Sequence, residues 1–345
     1  MKKEKFSMRN LKKLIITLLG IIALAISLSG CSGTQPAASE ENTANTGSDG
    51  QLIKIRFSPY NTMASTGVLF GVEKGIFKDA GVELEMTNIT DKVAALISDS
   101  IDMADYNTSQ SIVALSNGAP VTPVSSMWRT KGAWHIVVGN DIHNVVDLKG
   151  KKISSGTARS GQELTIREWL QQNGLDPDKD VELIATETQV AYANLENNQS
   201  SAIIVTQPYA TKTEEAGIGH TLTTGWKVVP KFHTGLILTS NTFKEKNPEA
   251  VRRFLQGYYN SYVYAKNHVD EFIAFAAKKY NVPEETMRKA VHSEFEVWDN
   301  DLKINLDNIK ATQELQMKWK FQQNYVDISQ KIDSSFLPES YTYNK

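Results

Sequence analysis

The sequence predicts an α/β fold in which helices cover mainly parallel sheets. Three observations predict it. From Leu52 to about Gly219, short apolar runs alternate with segments of helical spacing, the pattern of parallel sheets with helices on their faces. Beyond Leu238 the pattern is mostly helical. The chain has 345 residues and one cysteine, so it must rely on a large apolar core rather than on disulfides, and its length allows two lobes.

Ile53, Ile55 and Phe57 alternate with polar residues and make a first strand. Residues 66–74 read as a helix stopped by Gly75, and Val82, Leu84 and Met86 as a second strand. Asp91 is placed to cap a helix that runs through Ile97. Residues 101–104 are a short buried strand, and Asn107-Thr108-Ser109 opens the next helix. The middle repeats the rhythm with a strand at 136–138, a turn or short helix at 146–150, and a strand from Lys152 whose Gly-containing loop enters a helix. Residues 181–184, 202–205 and 236–238 are further strands. Pro248, tolerated in a first helical turn, opens a helix through Leu255, Tyr258, Tyr262 and Ala265, and helices at 269–279 and 283–293 follow.

Residues 1–30 have the parts of an export signal. Lys2, Lys3, Lys5, Arg9, Lys12 and Lys13 precede an apolar run over 14–28, which is shorter than the roughly 20 residues of a membrane span. Leu28-Ser29-Gly30-Cys31 follows and resembles the lipobox of bacterial lipoprotein precursors, which implies cleavage before Cys31 and a lipid on its sulfur. An uncleaved anchor helix is the alternative. Residues 31–50 then supply the lipidated cysteine and a flexible tether without large apolar residues. The net charge is −2, of which the leader's six bases and Glu4 supply +5, so the remainder carries about −7. A body of that charge argues against nucleic-acid binding.

Several spaced segments carry a resemblance. They are Gly71-Val-Glu-Lys-Gly-Ile-Phe-Lys-Asp-Ala-Gly-Val-Glu-Leu84, Ser100-Ile-Asp-Met-Ala104, Val146-Asp-Leu-Lys-Gly-Lys-Lys-Ile153 with Gly156, Gln207-Pro-Tyr209, Asn247-Pro-Glu-Ala-Val-Arg-Arg-Phe254 and Tyr325-Val-Asp-Ile-Ser329. Over residues 54–341 the chain resembles the solute-binding proteins of bacterial ABC importers, in the group that serves sulfonates, taurine, nitrate and thiamine-pyrimidine precursors. The resemblance implies a type II periplasmic-binding-protein fold with mixed, mainly parallel sheets and a two-strand hinge. Lobe 1 would hold 51–137 with 235–345, and lobe 2 would hold 138–234. The chain departs from the family's pattern at Asp99 and Asn198, where glycine is usual, at Ser201, where Asp is usual, and at Gln207, where an acid often precedes the proline. Asp and Asn tolerate a left-handed backbone, so both turns can persist.

Ligand would sit between the lobes, at the loops that leave the carboxyl ends of the strands. Tyr60, Asn61 and Thr62 follow the first strand, and Asn107 and Thr108 follow the third. Trp128 and Arg129 stand near the first hinge crossing, as an apolar wall and a partner for an oxyanion. Gly156-Thr-Ala-Arg-Ser-Gly161 has the glycine spacing of a phosphate loop, but Gln162 and Glu163 stand where that loop needs Lys and Ser or Thr. It reads instead as a helix start, with Ser160 and Glu163 as a capping box and Thr157 and Ser160 facing ligand. Thr206, Gln207 and Tyr209 end a strand of lobe 2, Phe232 and His233 precede the return strand, and Trp226 is a weaker candidate. The competing roles are plain capping for the helix starts, core packing for Trp128, a surface turn for Tyr60 and a surface position for Arg129.

The histidines show no metal-ligand spacing, no Gly-x-Ser-x-Gly elbow occurs, and the lone cysteine is assigned to lipid. The expectation is a binding protein without catalysis, cofactor or metal. It would be a monomer, anchored by lipid on the outer face of the cell membrane, delivering a small organic solute to ABC permease subunits. A sulfonate or taurine-like anion is favoured over a flat heterocycle such as a vitamin precursor. A sensory protein that binds without transport is the other alternative.

Overall fold

The computed structural model describes residues 52–128, 131–298 and 301–339, which fall within one compact unit. The expected leader, Cys31 and its tether lie outside the described residues. The chain first forms β1 (Ile53–Ser58), α1 (Thr66–Glu73), α2 (Ile76–Asp79), β2 (Val82–Met86), α3 (Lys92–Ile97), β3 (Met103–Asn107), α4 (Thr108–Ser116) and β4 (Val121–Ser126). There follow β5 (His135–Gly139), β6 (Lys152–Ser154), α5 (Gly161–Gln172), β7 (Glu182–Ile184), α6 (Thr188–Glu196), β8 (Ala202–Val205), α7 (Tyr209–Glu215), β9 (Gly219–Thr224) and α8 (Gly225–Val228). Last come β10 (Gly235–Ser240), α9 (Asn241–Lys246), α10 (Pro248–Asn267), α11 (Val269–Tyr280), α12 (Glu284–Ser293) and α13 (Leu306–Lys318).

The strands make two five-stranded sheets, ordered β2-β1-β3-β10-β4 and β7-β6-β8-β5-β9. β1 runs parallel to β2 and β3, as β6 does to β7 and β8. The strand arriving from the other sheet, β10 or β5, is inserted antiparallel between two neighbours. The chain thus passes between sheets twice, before β5 and before β10. β5 lies wholly in the second sheet, so the first crossing precedes His135 rather than falling at residue 137.

Strands β5, β8 and β10 are buried along their whole length, which is why they read as continuous apolar runs. On one side of the first sheet, α10 packs Phe254 and Tyr258 with Phe57 and Trp128; on the other, Leu96 and Ile112 meet Leu236, Leu238 and Ile309 of α13. The second sheet buries Ile136, Ile153 and Ile204 against Leu164 and Trp169, and Val137 and Ile203 against Ala191 and Leu195.

Three local readings change. The third strand begins at Met103, because Asp102 is engaged by the Arg56 backbone N–H at 2.7 Å and by its guanidinium at 2.5 Å. β4 was not read from the sequence; it contains Pro123, which is tolerated because β4 is a sheet edge. The capping box at α5 is half made. Ser160 Oγ accepts from Glu163 N, whereas the Glu163 carboxylate accepts from Arg159 N at 2.7 Å and pairs with Arg167 at 2.8 Å. Asp99 and Asn198 do adopt left-handed backbones, with φ of 54° and 56°. Among the described residues, no helix is long and apolar enough to cross a membrane and no His, Cys, Asp and Glu group could hold a metal.

Candidate functional site: a cleft between the two sheets

A cavity of about 130 Å³ opens where the carboxyl ends of the parallel strands of both sheets meet. The first sheet's side supplies Tyr60, Thr62 and Ala64 after β1 and Asn107 and Gln110 at the start of α4. The second supplies Thr157, Ser160 and Gln162 at the start of α5, Thr188 opening α6, and Thr206 after β8. The crossings supply Met127, Ala133, Trp134 and Thr234. No charged side chain lines the cavity among the described residues. Its polarity comes from hydroxyls and amides, and from helix starts whose dipoles are positive at that end.

The helix starts are fixed locally. Asn107 Oδ1 accepts from Ser109 N at 2.9 Å, and Ser160 Oγ from Glu163 N at 3.3 Å. Gly161 begins α5 because a Cβ there would lie 2.5 Å from Trp134 and 2.7 Å from Phe232. Those two rings meet edge to face at 5.3 Å, so Phe232 backs the Trp134 wall.

Beneath Tyr60 lies a buried ion pair. Lys92 Nζ is 3.2 Å from Asp105 Oδ1 and 4.2 Å from the centre of the Tyr60 ring, and Ser65 Oγ donates to Asp105. Burial raises the Asp105 carboxyl against the pull of Lys92, and burial lowers the Lys92 ammonium. Burial, then the Asp105 charge, pushes the Tyr60 hydroxyl well above its usual range, so it stays protonated and able to donate.

Six of the residues expected at the site line this cavity: Tyr60, Thr62, Asn107, Thr157, Ser160 and Thr206. Asn61 is exposed beside them, and Arg129 lies outside the described residues. The others sit behind the lining. Trp128 is fully buried in the first core, stacked on Tyr262 at 4.8 Å. Thr108 Oγ1 bonds His233 Nδ1 at 2.8 Å, and His233 Nε2 bonds Ser126 Oγ at 2.9 Å. His233 therefore ties the second crossing to α4 and β4, and its N–H donates to Thr312 of α13 at 2.9 Å. Gln207 donates to Ser293 Oγ at 2.9 Å and accepts from Thr211, joining the second sheet to α12. Tyr209 packs on Tyr192 at 5.7 Å. Trp226 bonds Glu296.

The sequence reading missed Gln110, Gln162, Thr188, Trp134 and Thr234. Gln110 and Gln162 fall in the first turn of helices whose starts were identified, which was the available signal. The buried Thr234 Oγ1 has no hydrogen-bond partner among the described residues, so it is free for a ligand.

Residues 62–272 match the model of a family described as NMT1/THI5 like. The chain is 25% identical over 344 residues to a Bacillus subtilis (strain 168) protein named for aliphatic sulfonate binding, covering 96% of this chain and 97% of that one. It is 22% identical over 290 residues to the bicarbonate-binding protein CmpA of Synechococcus elongatus, covering 74% of this chain and 64% of that one. The alkanesulfonate-binding protein SsuA from Xanthomonas axonopodis pv. citri, solved with MOPS, shares the fold at a TM-score of 0.68 and 17% identity, over 79% of this chain and 94% of that one. With its family match spanning more than half its length and its two α/β sheets exchanging strands, the chain belongs to the NMT1/THI5-like family and has a periplasmic-binding-protein fold.

Proposed function

We propose that this chain is the solute-binding protein of an ABC importer and that it captures a compact aliphatic sulfonate in the cleft. The observation that carries the reading is the lining itself: uncharged, rich in hydroxyls and amides, and set at the starts of α4, α5 and α6. Helix starts favour anions without a paired cation. The apolar Met127, Ala133 and Trp134 suit an organic chain better than a bare inorganic anion. The sulfonate-binding relative in Bacillus adds support.

Capture would work by closure. A ligand touching both sheets' loops binds the closed arrangement better, and only such a difference in affinity shifts the equilibrium. No bond chemistry is required. A flat heterocycle is the second reading, favoured by Trp134 and Tyr60. The cavity is smaller than the roughly 300 Å³ at which drug-sized sites begin, which weighs toward the sulfonate.

A thermal-shift panel of sulfonates, nitrate, bicarbonate, pyrimidines and purines tests the choice. A saturating ligand at about 100 times its dissociation constant stabilises by about 2.7 kcal/mol. A rise confined to sulfonates is expected, and a rise confined to heterocycles would replace the reading. We also infer that Cys31 carries the lipid anchor on the extracytoplasmic face. Cys31→Ser would then move the protein from the membrane to the soluble fraction, and unchanged membrane association would refute the anchor.

A further inference from the structure

A second cavity, of about 270 Å³, lies beside the first and shares α4 and the loop before α5 with it. Gln110 lines both. The loop before α5 gives Thr157 and Ser160 to the first cavity and Ala158 and Arg159 to the second. Along α4, Ser109, Gln110, Val113 and Ala114 recur at the spacing of one helical stripe, and Tyr106 of β3 lies just before them. The far wall comes from α13 and the residues after it, through Gln316 and Phe321.

This second cavity is mostly apolar, with Val93, Val113, Ala114 and Ala158 in its walls, yet two of its lining residues carry unsatisfied buried polar atoms. The Ser109 hydroxyl and the Gln316 amide oxygen have no hydrogen-bond partner among the described residues, in side chains 0% and 1% exposed. The Gln316 orientation is set, because its Nε2 donates to the Ser109 carbonyl at 3.0 Å. An orphaned buried acceptor is costly, and a hydrogen-bond donor brought by a ligand recovers that cost. Among the described residues, the one charge in the lining is positive: Arg159, which donates to the Phe321 carbonyl and lies 5.2 Å from the centre of its ring. An ammonium would meet repulsion there, whereas a neutral hydroxyl or amide would not.

We propose that the two cavities form one bipartite solute site. The sulfonate is held in the first, and an extended aliphatic chain enters the second, where a terminal hydroxyl or amide meets Ser109 and Gln316. The inference rests on the sulfonate reading of the first cavity. It makes the preferred solute an elongated hydroxy- or amido-sulfonate rather than a short or amino-terminated one.

Titration calorimetry of the mature protein in detergent tests it, using alkanesulfonates from ethanesulfonate to octanesulfonate and their ω-hydroxy and ω-amino derivatives. In the wild type, affinity rises by about fourfold for each methylene buried, rises further with the hydroxyl and falls with the ammonium. Ala114→Phe, which fills the second cavity, removes the gain with length and leaves ethanesulfonate binding intact. Ser109→Ala, which deletes an unpaired hydroxyl and so should not unfold the protein, removes the hydroxyl preference alone. If ethanesulfonate binds but length and terminus have no effect, or if Ala114→Phe weakens every ligand equally, the bipartite site is wrong and the sulfonate reading stands. If no sulfonate of any length binds, both fall.

Discussion

Lys92 and Asp105 show how much of a site can rest on residues that no motif marks. Each looks like an ordinary charged residue in the sequence; folding puts both beneath Tyr60 and out of water. Removing one partner of such a pair leaves a buried charge, at a cost of about 3–5 kcal/mol. Lys92→Met leaves Asp105 with burial, which already raises its carboxyl, and without the cation that lowered it. A carboxyl raised in the folded state contributes stability at low pH that is lost as pH climbs from the ordinary Asp value through the raised one. The variant should therefore lose more stability near pH 8 than near about pH 5, read from unfolding midpoints at the two values. An equal loss at both would show that Asp105 does not titrate as described. Capping residues, by contrast, were legible: Asp91, Asn107 and Ser160 each cap the helix expected of them, because a cap is a local contact. Trp128 and Trp134 could not be told apart by sequence, since both stand near the first crossing and both are buried, and only packing decides that Trp128 stacks on Tyr262 in the first core while Trp134 borders the cavity.

At the scale of elements, strands buried on both faces announced themselves as apolar runs, and 202–205 coincides with β8. β4 and β9 did not, because β4, though buried along its length, carries Thr122, Pro123, Ser125 and Ser126, and β9 the polar residues of 219–224. The turns at Asp99 and Asn198 show one solution used in both sheets: a left-handed residue ends α3 or α6 and feeds a buried strand, β3 or β8. The start of α5 is the most exacting element. Gly161→Ala would force a methyl into Trp134 and Phe232, and overpacking of this kind costs about 1–3 kcal/mol. Displacing the Trp134 wall should also weaken solute binding well beyond that of an exposed control such as Lys320→Ala. A variant with wild-type midpoint and wild-type affinity would mean that α5 can shift without cost.

For the molecule as a whole, the cleft is assembled from loops that are distant in sequence, which is why the sequence gives the rim more readily than the lining. Two C-terminal helices are bonded to helices of the second sheet. Thr286 and Lys289 of α12 bond Glu215, while Lys318 of α13 bonds Glu168, both acids belonging to helices of the second sheet. Both helices also pack with the first sheet's helices or crossings, so closure would carry them along. Trp134 and Thr234, from the two crossings, stand where such closure would bring them onto a ligand. The most direct test of the account is calorimetric titration of ethanesulfonate into the wild type and into Trp134→Ala. Saturable one-to-one binding in the wild type, weakened at least about tenfold in the variant, is the predicted result, tenfold corresponding to roughly 1.4 kcal/mol of lost wall contact. No binding to the wild type, or equal affinity in both proteins, would contradict a sulfonate site in this cleft.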